Sequence, residues 1–281
     1  MKKYFFVCLS FLSSTVYSQY RIHPIMASFC VLVEAKGFGS GTGVYIQDSN
    51  FLYFATALHV LYNYKTDVAV CDSIRLITYR ENTDVDKPDT LLLDFCTAYK
   101  KGFAQIDIKN DVLIVKLAEQ KKLDSLYKSL SYYPHATRIG RSTKINSWNT
   151  GDIISIDSLD IGSDVFIFGY PKSLSLQFSF DYNRPLLRKG VIAGRDLKKN
   201  RIILDCPAYQ GNSGGPAFSI MAKNFMNYQV TLLGIISEFI PFEEHWYNDK
   251  YQGVTNIQIS NSGYTVLVPI GSVLNLISKL K

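Results

Sequence analysis

Gln210-Gly211-Asn212-Ser213-Gly214-Gly215-Pro216 is the stretch on which the reading of this 281-residue chain turns. A serine set between glycines on a tight turn can expose its hydroxyl while nearby backbone N–H groups point at one spot. Gly211 has no Cβ, so its peptide can take the orientation that an oxyanion-binding site requires. Gly214 and Gly215 let the backbone and a bound chain approach closely. A serine hydroxyl is a poor nucleophile until a base removes its proton. Without such a base, the stretch is an ordinary glycine-rich turn.

The chain has 4 histidines that could supply the base. His23 stands beside Pro24 near the start, His135 follows Pro134 in a polar stretch, and His245 lies in an aromatic segment that begins at Pro241 and reads as a long loop. His59 differs: it follows the apolar run 51–56 directly, within Thr56-Ala57-Leu58-His59-Val60. A histidine at the end of a core strand is held rigidly and can still face a cleft. The third requirement is a carboxylate that accepts the other ring N–H, fixes the tautomer and stabilises the imidazolium. Asn110-Asp111-Val112-Leu113-Ile114-Val115-Lys116-Leu117 places Asp111 immediately before a hydrophobic strand. Asp107 is the competitor, but it lacks direct attachment to the apolar run.

Around these residues the chain reads as many short strands separated by turns. Apolar residues make up 47% and charged residues 19%, which excludes a disordered or low-complexity chain. The aromatic content of 14%, with 19 Tyr and 17 Phe, favours β-structure. Strand-like runs fall at 28–34, 44–47, 51–56, 67–79, 90–96, 112–117, 164–169, 186–193, 201–206, 229–237 and 264–269. Helical spacing is confined to Leu123, Leu126, Tyr127 and Leu130, and to Val273, Leu276, Ile277 and Leu280 at the C-terminus. Short strands without regularly alternating helices point to an all-β sandwich or barrel. A polar stretch at 119–150 divides the strands into an N-terminal group at about 28–118 and a C-terminal group at about 151–281, each long enough for a small barrel. The formal net charge of +6 is spread along the chain and gives no case for nucleic acid as a partner.

Residues 1–18, MKKYFFVCLSFLSSTVYS, have a basic start, a short apolar centre and small residues ahead of Gln19. That is the pattern of a cleaved secretory signal, leaving a mature domain of 19–281. The apolar part falls short of the roughly 20 residues a bilayer span needs, so no stable membrane insertion is expected after signal removal. The protein is therefore expected to be exported, to the periplasm or the medium. In an oxidising compartment the remaining Cys30, Cys71, Cys96 and Cys206 can pair. Cys71 and Cys96 flank what reads as a β-hairpin and are the favoured pair; free buried cysteines are the alternative. No CxxC or HExxH spacing occurs, so a zinc site is not indicated.

Taken together, ATALHVL (55–61), NDVLIVKL (110–117) and GNSGGP (211–216) resemble the histidine, aspartate and nucleophile motifs of trypsin-like, chymotrypsin-fold serine peptidases. The order His, Asp, Ser suits this family and not the subtilisin or α/β-hydrolase arrangements. Gly39-Ser40-Gly41-Thr42-Gly43-Val44 resembles the glycine-rich strand ahead of the histidine in bacterial members. Val165-Phe166-Ile167-Phe168-Gly169-Tyr170-Pro171 resembles their first strand of the second barrel, and Leu233-Gly234-Ile235-Ile236-Ser237 their substrate-pairing strand. The resemblance runs from about residue 30 to 270.

It implies two six-stranded-type β-barrels with the active site between them, and a short C-terminal helix. It further implies a serine endopeptidase with catalytic His59, Asp111 and Ser213, and an oxyanion hole from the N–H groups of Gly211 and Ser213. Substrate-binding residues would be Pro207, Ala208, Ile235, Ile236, Ser237 and Phe239. Protein or peptide is the implied partner, and neither a metal nor an organic cofactor is called for. Asn212 stands where the digestive branch has an aspartate, so activation by an ion pair with a new N-terminus is not expected. Pro207, six residues before the serine, offers no acid to receive Arg or Lys. The short C-terminal helix is expected to be the end of the chain's fold, with no PDZ module. A silent binding module, with Phe239 and the segment 241–263 closing the cleft, and a small-acyl esterase share the same motifs.

Overall fold

The computed structural model describes residues 22–37, 39–69, 74–79, 88–122, 128–139, 145–153, 160–172, 184–224, 227–248 and 253–280. In the first half lie β1 Cys30–Ala35, β2 Gly39–Asp48, β3 Phe51–Ala57, β4 Tyr62–Asn63, β5 Val68–Ala69, β6 Ile74–Thr78, β7 Asp89–Leu93, β8 Ala104–Asp107, β9 Val112–Lys122, β10 Lys128–Tyr132, β11 Ala136–Ile139 and β12 Trp148–Asn149. All but the β4–β5 pair join one curled ten-stranded sheet in the order β10-β9-β3-β2-β1-β6-β7-β11, with β8 beside β9 and β12 beside β2. The second half holds β13 Asp164–Gly169, β14 Leu186–Asp196, β15 Arg201–Asp205, β16 Pro216–Asn224, β17 Asn227–Asn248 and β18 Gly253–Pro269. These six close into a barrel in the order β13-β14-β15-β18-β17-β16. The expected mostly-β architecture and short C-terminal helix are both present, the helix being Ile270–Ser278.

One apolar cluster runs through both halves. Leu32, Ile46, Tyr53 and Ile114 of the first sheet meet Phe166, Phe168 and Phe218 of the barrel, together with Leu276 and Ile277 of the C-terminal helix. Phe218 is stacked by Phe166 and Phe168 at 5.6 and 5.7 Å and met by Trp148 at 5.7 Å. Burying each such side chain stabilises the fold by about 1.5–3 kcal/mol. Lys116 adds a polar tie: its ammonium donates to the Leu280 carbonyl at 3.1 Å and lies 3.5 Å above the Phe51 ring. Burial lowers the Lys116 pKa, while Glu119 opposes that shift.

Several expected elements differ. Helical spacing at 123–130 gives way to strand, because Lys128–Tyr132 pairs antiparallel with Lys122–Ala118 of β9; residues 123–127 lie outside the described set. The run 90–96 is strand only to Leu93. Asp94 then accepts from the N–H of Thr97 at 2.9 Å and from its hydroxyl at 2.6 Å, and this cap starts the helix α1, Phe95–Lys100. The stretch 119–150, read as a connector, contributes β10, β11 and β12 to the first sheet. Within it His135 is buried, donating from Nε2 to the Lys116 carbonyl at 2.8 Å. The segment after Pro241 is no loop: β17 and β18 continue as a paired arm from Pro241↔Asn261 to Asn248↔Gly253. Cys96 is disulfide-bonded, whereas Cys30 and Cys206 are free and buried; Cys71 lies outside the described residues.

Candidate active site

The first sheet supplies His59 and Asp111 from adjacent strands. β3 pairs with β9 in the register Ala57↔Val112, so the residues leaving β3 and entering β9 become neighbours. Leu58 N–H donates to the Asp111 carbonyl at 3.1 Å and fixes that junction. Asp111 adopts φ +55°, a left-handed conformation that Asp tolerates better than most residues. Its Oδ1 accepts from the His59 backbone N–H at 3.0 Å, and its Oδ2 lies 2.8 Å from His59 Nδ1. The ring nitrogen that faces the carboxylate is thereby the protonated one, leaving Nε2 free to accept. Asp107 is engaged elsewhere, with its carboxylate on the backbone and side-chain N–H groups of Asn110 at 3.0 and 2.6 Å.

Asp111 holds two further hydrogen bonds. Ser237 donates its hydroxyl to Oδ2 at 2.6 Å, and Tyr64 donates its hydroxyl to Oδ1 at 2.8 Å. Burial alone would raise the Asp111 carboxyl, but the bonds from His59 and Ser237 outweigh it and hold the group below its ordinary value. Tyr64 is pushed upward by burial and by the Asp111 charge, so it stays a donor at neutral pH. Its ring packs T-shaped with that of Tyr62, the centroids 5.4 Å apart.

The second half supplies the serine. Gly211 has φ +96°, and a Cβ there would lie 2.1 Å from the Tyr170 carbonyl oxygen, so only glycine fits. Gly214, at φ +82°, is equally restricted: a Cβ would lie 2.1 Å from the Thr42 carbonyl oxygen. Lys172 N–H donates to the Gln210 carbonyl at 3.0 Å. Carbonyl and N–H point oppositely across a trans peptide, so the Gly211 N–H is turned away from Lys172's backbone. Thr42 ties this loop to the first sheet. Its N–H donates to the Ser213 carbonyl at 2.8 Å and its hydroxyl to the Gly211 carbonyl at 2.5 Å. It is fully buried. Among the described residues the N–H groups of Gly211 and Ser213 have no partner within the protein.

Ser213 and His59 line one hollow of about 370 Å³, together with Gly39, Ser40, Val60, Lys172, Gln210 and Gly211. No hydrogen bond joins Ser213 to His59; catalytic contacts of this kind commonly tighten only when substrate binds.

The six expected substrate-binding residues part company. Ile235 and Ile236 are buried in the core, and the Ile236 backbone is already bonded to Gly214 and Gly215, so neither is open to a bound chain. Ser237 turns its hydroxyl to Asp111. Ala208 is buried with its carbonyl accepting from Asn261 at 2.6 Å, while Pro207 and Phe239 are half-buried. The stretch of β17 facing the cleft therefore begins after Ile236. Pairing between β16 and β17 ends at Pro216↔Ile235, and beyond it β17 is paired, among the described residues, only to β18. The roles of Thr42, Tyr64 and Lys172 are not legible in the sequence, because a lone Thr, Tyr or Lys carries no local signature of such a bond.

Two β-lobes that share a core, with a glycine-framed serine and a histidine lining one hollow, are the architecture of a trypsin-like peptidase domain. The sequence profile of the trypsin-like peptidase domain matches residues 41–224, and the chain belongs to that family. No curated protein sequence matches the chain. Several solved structures align with the chain at low identity. A serine endoprotease from Yersinia pestis aligns over 92% of this chain at 17% identity with a TM-score of 0.47, and the chain covers 65% of it. The HtrA-type protease AlgW, solved with a tripeptide, aligns over 92% at 15% identity and a TM-score of 0.47, with 62% of its own length covered. Deg5 aligns over 91% at 13% identity and a TM-score of 0.50, with 90% of its length covered. The chain thus spans less than two thirds of the first of these structures.

Proposed function

We propose that the chain is an exported endopeptidase that hydrolyses peptide bonds through Ser213, His59 and Asp111. The carrying observation is the Nδ1–Asp111 contact of 2.8 Å, which leaves His59 Nε2 as an acceptor in the hollow that holds Ser213. Ser213 Oγ attacks the substrate carbonyl as its proton passes to Nε2. The developing oxyanion takes the N–H groups of Gly211 and Ser213, which have no internal partner among the described residues. His59 then gives its proton to the leaving amine, and water hydrolyses the acyl-enzyme by the same route. The cleft-side edge of β17 after Ile236 favours a peptide over a small acyl ester, because an extended chain can add to it as a strand. The signal-like start and the disulfide-bonded Cys96 support export.

A fluorophosphonate probe tests the chemistry, since it modifies only an activated serine. Labelling is expected on Ser213 and is expected to disappear in Ser213→Ala and His59→Ala. The double variant should be barely worse than either single one in residual peptide cleavage. Labelling that persists in folded Ser213→Ala overturns the assignment.

A further inference from the structure

Beyond Ser237 the cleft passes a second hollow, of about 430 Å³. Its rim carries Lys109, Lys198, Lys199 and Arg201 against two acids, Asp196 and Glu238. Among the described residues none of the four cations forms a salt bridge. The Arg201 guanidinium donates to two neutral oxygens, the Asn110 side chain at 3.3 Å and the Lys109 carbonyl at 3.1 Å, so its charge has no acid partner. Asp196 receives the backbone N–H of Lys199 at 3.1 Å, which caps the β14–β15 turn and holds Lys198 and Lys199 at the hollow's mouth. Ile203 and Val266 provide an apolar floor.

The hollow adjoins the catalytic centre along β17. Ser237 touches Asp111, and Glu238 and Ile240, on the same strand, line the hollow. At roughly 3.3 Å per residue, Ile240 lies about 10 Å along β17 from Ser237. A chain paired with the free edge of β17 therefore passes the hollow two to four residues from the reacting carbonyl. The unpaired cations there make the local potential positive, and a carboxylate on a methylene stem suits both the charged rim and the apolar floor.

We propose that this hollow is a specificity subsite for an acidic side chain, two to four residues from the cleaved bond, so that the enzyme's substrates are peptide segments with Glu or Asp at that place. The proposal rests on the peptidase reading above, and it is separable from it by measuring binding without turnover. A single glutamate is scanned, against glutamine, over four positions on each side of the bond in a fluorescent peptide, and anisotropy is read on Ser213→Ala protein.

Glutamate is expected to tighten binding about tenfold at one or more positions two to four residues from the bond on one side. The gain is expected to fade in about 0.5 M salt, as an electrostatic contact must. It should vanish in a Lys198→Gln/Lys199→Gln variant and survive in Lys172→Gln, which alters the other hollow. Equal affinity for glutamate and glutamine peptides at every position overturns the subsite, as does a glutamate gain that ignores both lysines and salt. Preserved glutamate selectivity in a wild-type protein that no fluorophosphonate labels would keep the subsite and refute the catalytic reading instead.

Discussion

Asp111 has two oxygens and receives four donors: the backbone and ring N–H groups of His59, and the hydroxyls of Ser237 and Tyr64. Asparagine in its place keeps one acceptor oxygen and offers an amide N–H instead of the other; His59 Nδ1 can meet that N–H only as an acceptor, in the tautomer that leaves Nε2 protonated and unable to take the serine proton. Asp111→Asn is therefore expected to cut turnover by about 10⁴. Asp107→Asn, whose contacts end at Asn110, should leave turnover nearly unchanged, and comparing the two rates distinguishes the carboxylates. Tyr64 acts on the reaction only through Asp111. Tyr64→Phe is expected to lower kcat about tenfold with KM unchanged, since one hydrogen bond to a charged group is lost while the cleft is kept. The downfield NMR resonance of the His59 Nδ1 proton should shift in that variant. A resonance identical to wild type would assign Tyr64 a purely packing role.

At the scale of elements, strands that read ambiguously were decided by their neighbours. Leu130 has helical spacing in the sequence, yet it packs against the first sheet's core once Lys128–Tyr132 pairs with the end of β9. The turn that follows buries His135 against the rings of Phe103 and Tyr133, with ring centroids at 5.0 and 5.8 Å. Burial lowers the His135 pKa more than its bond to the Lys116 carbonyl raises it. The unfolded chain therefore takes up a proton near the ordinary value of about 6.5 while the folded chain stays neutral. Stability from this site is complete above that pH and falls as the pH drops towards the folded value, because the unfolded state then binds more protons. His135→Gln keeps a donor and removes the titration. Urea midpoints measured at about pH 7.5 and about pH 5 should fall further for wild type than for the variant. Parallel falls in the two proteins would place the acid sensitivity elsewhere.

At the scale of the molecule, the cleft exists because the two halves share one core and not because each half is complete. His59, Asp111, Tyr64 and Thr42 come from the first half, and Ser213 and Ser237 from the second, so any slip between them misaligns the site. Leu276 of the C-terminal helix packs into the shared cluster. Leu276→Ala is expected to destabilise the protein by about 2–5 kcal/mol. Its unfolding should remain a single transition, with buried Trp148 fluorescence and hydrogen exchange of the Arg201–Asp205 strand shifting together. Separate midpoints for those probes would mean that the halves fold independently.

The sequence by itself determined the strand-rich class, the serine loop with its glycines, and the pairing of His59 with Asp111 rather than Asp107. Those features are local: a glycine is demanded by one peptide's φ, and a carboxylate is placed by the strand that begins beside it. Only the tertiary structure decided that Thr42 clamps the Gly211 and Ser213 carbonyls, that Tyr64 and Ser237 complete the Asp111 carboxylate, and that Ile235 and Ile236 belong to the core. It also turned the segment after Pro241 into a paired arm and the 119–150 stretch into strands. Each of these depends on which residue a distant strand brings within hydrogen-bonding reach. A threonine, a tyrosine or an isoleucine pair looks the same in sequence whether or not that neighbour arrives.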